Sequence, residues 1–114
     1  MIIEIGEKVH IVYRAMYEKS NRRHFLGEVQ KADGTACRIV GNVFVYDPKT
    51  TMFVKKEEMR TTIIDLAASG YVVNVINRNV DLGKMFYKYD TATGLILTDG
   101  KGYSLNINEF GLRS

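Results

Sequence analysis

From Lys8 to Tyr17 the chain alternates apolar and polar side chains with a period of two. Val9, Ile11, Tyr13, Ala15 and Tyr17 fall on one face; Lys8, His10 and Arg14 fall on the other. A strand with one wet face reads this way and a helix does not, because successive side chains of a strand point to opposite sides of the sheet. The pattern commits the N-terminal part of the chain to sheet.

Turn chemistry continues the sheet. A second strand is expected from Arg23 to Lys31, followed by Asp33-Gly34, a pair that favours a hairpin because glycine accepts positive φ without steric cost. Thr35 to Tyr46 makes a third strand, whose alternation slips around Gly41-Asn42 and predicts a bulge or bend there. Asp47-Pro48-Lys49-Thr50 suits a type I turn, and Thr51 to Lys55 returns as a short fourth strand.

The spacing then changes. Met59, Ile63, Leu66 and Ala67 recur every three or four residues, with Ile64 widening the stripe, and this predicts a helix over about residues 57–69. Glu57 and Glu58 suit the positive end of its dipole, and Gly70 a left-handed C-terminal cap. Beyond it, Tyr71 to Ile76 reads as an interior strand. Val80 to Lys84 reads as a single helical turn capped by Asn79 or Asp81. Met85 to Tyr89, Leu95 to Thr98 and Tyr103 to Phe110 read as short strands joined by Asp- and Gly-rich turns. The expected fold class is α+β: an antiparallel, hairpin-rich sheet with one main helix packed on it, in a single domain spanning residues 1–114.

Composition limits function more than it names it. Of 114 residues, 46% are hydrophobic and 25% charged, which excludes collagen-like, disordered and membrane-spanning classes. The N-terminus has no basic leader, and Glu4 breaks its apolar stretch, so no secretory signal is expected. One cysteine rules out an internal disulfide and a multi-cysteine zinc site, and points to a reducing cytoplasm. Cys37 itself reads as a small buried hydrophobe. His10 and His24 lie on separate strands and are expected to be offset by several residues. They lack metal-ligand spacing, so neither a metal nor any other cofactor is expected. The Asp90–Gly94 and Asp99–Gly102 segments match neither a P-loop nor a calcium loop and read as hairpin turns.

Charge is uneven. Residues 1–60 carry 11 basic and 8 acidic side chains, whereas residues 61–114 carry 5 of each, so the whole excess of +3 sits in the first part. An anion-binding rim is expected at Arg22, Arg23 and His24, extended by Arg14 and Arg38, because a guanidinium pair can grip phosphate or carboxylate bidentately. Tyrosine and phenylalanine interleave with these cations, as single-stranded nucleic acid requires. The segment Val40–Asp47 nevertheless matches the RNP1 pattern of RNA-recognition motifs only at Gly41, Phe44 and Val45, and that fold is rejected.

Arg22-Arg23-His24-Phe25-Leu26-Gly27-Glu28-Val29, Val43-Phe44-Val45-Tyr46-Asp47 and the closing run from Thr98 to Gly111 together resemble a small family of uncharacterised bacterial proteins. The resemblance implies a compact α+β domain and carries no activity, ligand or site. No acid, base and nucleophile assemble in the sequence, so the expectation is a non-catalytic binding or interaction module. The alternatives are weak binding of nucleic acid or another polyanion through the basic rim, and a small enzyme whose site sequence does not expose. A membrane partner is not expected. Open sheet edges predict a homodimer.

Overall fold

The computed structural model describes residues 2–13, 22–67 and 71–107. The chain divides into two compact units, Met1–Arg78 and Asn79–Ser114.

The first unit is a six-stranded antiparallel sheet. Its strands are β1 (Lys8–Tyr13), β2 (Arg23–Asp33), β3 (Ala36–Asp47), β4 (Met52–Lys55), β5 (Arg60–Asp65) and β6 (Tyr71–Ile76). They run in the order β4-β3-β2-β1-β6, and β5 also pairs with β3. The meander follows local turn chemistry. Gly34, at φ +59°, opens a two-residue loop between Asp33 and Ala36, which pair across the hairpin. At the next turn the Asp47 carboxylate accepts hydrogen bonds from the Lys49 amide (2.9 Å) and the Thr50 hydroxyl (3.2 Å).

Side chains on one face of this sheet form its core: Val9 and Ile11 from β1, Phe25 and Val29 from β2, Cys37, Ile39 and Val43 from β3, and Ile64 from β5. Full burial of aliphatic and aromatic side chains like these stabilises by about 1.5–3 kcal/mol apiece relative to exposure. The middle of that face is glycine. Gly27 and Gly41 are cross-strand partners, and a Cβ on Gly41 would fall on the carbonyl oxygen of Leu26. Over Gly27, the Phe25 ring and the Ile39 side chain already occupy the space a Cβ would need. The irregularity expected at Gly41-Asn42 is thus a close approach of β2 and β3, while the register shift between these strands falls at Val29/Lys31.

The expected helix over residues 57–69 does not form among the described residues, and the α+β class falls with it: the described residues are mostly strand, with one short 3-10 turn as their only helical element. Residues 60–65 are β5, residues 56–59 are a connection, and residues 68–70, including the expected cap Gly70, lie outside the described residues. Two physical reasons override the helical spacing. Thr61-Thr62-Ile63-Ile64 is an unbroken β-branched run, stiff at χ1 and suited to a pleated surface. In addition, β3 offers residues 36–41 an outer edge whose backbone groups need partners. The resulting alternation buries Ile64 (3% exposed) and leaves Ile63 (66%) and Met59 (61%) in solvent, so the helical stripe is split.

β4 and β5 run along β3 as one interrupted strand. Phe44 faces Lys55 and Gly41 faces Arg60, so residues 56–59 oppose only Asn42 and Val43. Asn42 fills the interruption. Its amide nitrogen donates to the carbonyl of Lys56 at 3.0 Å and lies 3.4 Å from those of Glu57 and Glu58.

Tyr71–Ile76, expected to be interior, is β6 at the end of the sheet order, with Val72 and Val75 exposed. Its apolar run reflects pairing with β1 on one side rather than enclosure. The face of β1 expected to be wet is also buried at His10 and Val12.

The second unit is a three-stranded antiparallel sheet: β7 (Phe86–Asp90), β8 (Gly94–Thr98) and β9 (Ser104–Asn106), in that order. Tyr87, Leu97 and Leu105 align in one row across it. A 3-10 turn, Leu82–Lys84, precedes the sheet, and the Asp81 carboxylate caps it by accepting from the Gly83 amide at 3.0 Å. Asp99–Gly102 is a turn whose amides are satisfied internally. The Asp99 carboxylate accepts from Lys101 (2.8 Å) and Tyr103 (3.1 Å), which holds its pKa below the usual carboxylate value.

Candidate functional site

Antiparallel pairing of β1 with β2 sets Tyr13 opposite Arg23, and pairing with β6 sets Tyr13 opposite Tyr71. The Tyr13 and Tyr71 rings meet edge to face, with centroids 5.4 Å apart. Arg60, at the start of β5, is near enough to act on the same hydroxyl. Burial and the neighbouring Tyr71 raise the Tyr13 pKa, while Arg23 and Arg60 pull it down. Tyr13, Tyr71 and Arg23 thus share one row at the end of the sheet, on the face that carries the core, while Arg60 enters that face opposite Gly41, four residues along β3 from Val45. Arg23 and Arg60 are both exposed there.

The opposite face at this end holds a second cation–aromatic group. Arg22 lays its guanidinium 4.0 Å from the Tyr46 ring centroid and 6.0 Å from that of Phe53. Tyr46 and Phe53 are cross-strand partners in edge-to-face contact at 5.4 Å. His24 stacks on Phe53 at 4.2 Å with its plane inclined by 25°.

His24 continues into a buried polar chain. His10 Nε2 and His24 Nδ1 are 3.2 Å apart, and the Asn74 amide nitrogen lies 3.3 Å from His10 Nδ1. With the amide donating, His10 Nδ1 is the acceptor, so His10 carries its proton on Nε2 and donates to His24 Nδ1. Both imidazoles are neutral. Burial lowers the His10 pKa to about 4; burial, then His10 and Arg22, lower that of His24 to about 3. The chain orients three side chains from three strands and presents no positive charge.

The five residues expected to form a basic rim separate accordingly. Arg14 lies outside the described residues. Arg22 and Arg23 serve opposite faces of the same strand end. His24 is buried, 2% exposed, as a member of the neutral pair. Arg38 is exposed and paired with Lys31 and Ile63, seven residues along β3 from Val45, the partner of Arg23. At a strand rise of ~3.3 Å that is roughly 23 Å away. The expected offset between His10 and His24 is also corrected: His10 faces Leu26, so the two histidines are diagonal neighbours two positions out of register.

Cys37 is buried in the core, on the face opposite the histidines, and burial raises its pKa. Among the described residues no three His, Cys, Asp or Glu side chains converge on a metal position, and no helix is long and apolar enough to cross a membrane. Sequence reasoning missed Arg60 because the expected helix over residues 57–69 spans it, which hides its pairing with β3. It missed Tyr71 and Asn74 because their strand joins β1 from far along the chain.

The fold and site define a small, mostly β protein with an exposed cation–tyrosine corner and a neutral histidine pair. The chain matches no family model, no curated protein and no solved structure.

Proposed function

We propose that the protein is a small non-catalytic binding module for a polyanion, with single-stranded nucleic acid as the first candidate ligand. The observation that carries this reading is the row that sets Arg23 beside the Tyr13–Tyr71 pair, with Arg60 near enough on the same face to act on the Tyr13 hydroxyl. Guanidiniums neutralise phosphate, and exposed ring faces stack bases of any sequence. Arg22 on Tyr46 extends the cationic edge to the other face of the same strand end. A cytoplasmic setting fits the single buried thiol.

The test is a fluorescence-anisotropy titration of a labelled single-stranded oligonucleotide across a salt series. Wild type and an Arg23→Ala/Arg60→Ala variant are compared, with Arg38→Ala as a control. Counterion release makes affinity fall with salt, and losing two phosphate contacts reduces the logarithmic slope by about 1–2. The Arg38 variant keeps the wild-type slope. Absence of binding by wild type at low salt ends the proposal, as does an unchanged slope in the double variant.

A further inference from the structure

In the second unit the two faces of the sheet differ. Tyr87 and Leu97, paired across β7 and β8, are buried on one face, 7% and 0% exposed. Phe86 and Lys88 alternate with Tyr87 and so share the other face, where Phe86 is 44% exposed. Its cross-strand partner Thr98 is buried, and a Cβ on Gly100 would meet the Phe86 ring at 3.3 Å, so the ring lies against the Asp99–Gly102 turn.

Three lysines flank this ring. Lys84 and Lys88 stand two residues to either side of it in the chain, and Lys101 follows Gly100. All three are exposed, and among the described residues their side chains make no hydrogen bond or ion pair. The three carboxylates of residues 79–107 are held in their own turns instead. Asp81 accepts from Gly83 at 3.0 Å, Asp90 from Ala92 at 2.8 Å, and Asp99 from Lys101 and Tyr103. Acid and base balance in number here but are not paired.

We propose that this face is a second contact for single-stranded nucleic acid, with one base stacked on Phe86 and phosphates held by Lys88 and Lys101. An exposed ring among cations fits a nucleotide better than an acidic peptide, because a base supplies the flat π-face that a carboxylate lacks. The choice of ligand rests on the polyanion reading above. The place of contact does not, since it shares no residue with the cation–tyrosine corner.

The chain has no tryptophan, so a Phe86→Trp variant carries a single reporter at the site. Titrated at low salt with a single-stranded oligonucleotide, this full-length variant is expected to lose fluorescence as a base stacks on the indole. A polyglutamate of equal charge is expected to leave the signal unchanged. Adding Lys88→Ala/Lys101→Ala weakens the quench and reduces its logarithmic salt slope by about 1–2, whereas adding Arg23→Ala/Arg60→Ala leaves a quench in place. Oligonucleotide binding, read by anisotropy, without any quench overturns this second contact and leaves the corner standing. An equal response to polyglutamate also overturns it, because the face then selects charge and not bases. A quench in a protein whose affinity and slope ignore Arg23→Ala/Arg60→Ala keeps this contact and removes the corner.

Discussion

His10 Nε2 and His24 Nδ1 meet at 3.2 Å although their backbones are not directly opposed: His10 faces Leu26, and His24 faces Val12. The rings bridge a diagonal of the β1–β2 ladder on a buried face, and only neutral imidazoles suit that place.

Acid should therefore unfold the protein through this pair. Both folded-state pKa values, about 4 and about 3, lie below the ordinary histidine value of 6.5, so between these limits the unfolded chain binds more protons than the folded one. Stability is complete above about pH 6.5 and declines as pH falls toward 4, by up to about 1.4 kcal/mol per pH unit for each histidine. Urea unfolding at successive pH values measures this slope. A flat profile from pH 7 to 4 contradicts the buried, neutral assignment.

Asn74→Ala removes the donor to His10 Nδ1 while leaving β6 a strand. An unsatisfied buried acceptor costs about 1–3 kcal/mol, and the His10 tautomer loses its anchor. Nitrogen-15 shifts of the two rings report the tautomers directly. In wild type both rings carry the proton on Nε2; a protonated Nδ1 on His10 contradicts the hydrogen-bond chain.

At the glycine pair, Gly41→Ala drives a methyl group into the Leu26 carbonyl and should cost more than about 3 kcal/mol or prevent folding. Gly34→Ala meets open space and pays only for its left-handed backbone, roughly 1–2 kcal/mol. Thermal unfolding of both variants gives the comparison. Equal costs at the two sites rule out the close approach of β2 and β3.

Adjacent isoleucines test strand against helix in residues 60–65. Ile64→Ala should cost about 2–5 kcal/mol, as a buried large-to-small change does. Ile63→Ala, at an exposed site, should stay within about 0.5 kcal/mol. A helical stripe through Met59, Ile63 and Leu66 requires Ile63 to be costly instead.

Features encoded by neighbouring residues were legible in the sequence. The Asp33-Gly34 hairpin and the Asp47-Pro48 turn depend on chemistry within four residues and stand where the sequence places them, and of the two expected caps, Asn79 and Asp81, the structure uses Asp81. The helix over 57–69 failed on a distant fact: whether β3 has a second edge to fill is not written in residues 57–69. The local β-branched run was the signal that argued against it. The histidine pair was illegible for a similar reason. It depends on β1 and β2 pairing about a centre near residue 18, and a shift of a residue or two in that centre separates the rings. The basic rim was half legible. Arg23 is at the corner, but Arg60, Tyr13 and Tyr71 join it only through pairings with β3, β2 and β6.

The β1–β6 ladder joins residues from 58 positions apart (Tyr13 and Tyr71) to 68 apart (Lys8 and Ile76), whereas β2, β3 and β4 pair with their neighbours in the chain and β5 reaches back only to β3. During synthesis the β1–β2–β3 hairpins can close long before β6 exists. At translation speeds of roughly 5–20 residues per second, the outer edge of β1 then waits bare for an interval on the order of seconds. Non-local closure of this kind is also slow in an isolated chain, because loop entropy is lost before the contact repays it. A chain cut short before residue 71 never finishes the wait, and its first strand stays open to whatever strand it meets.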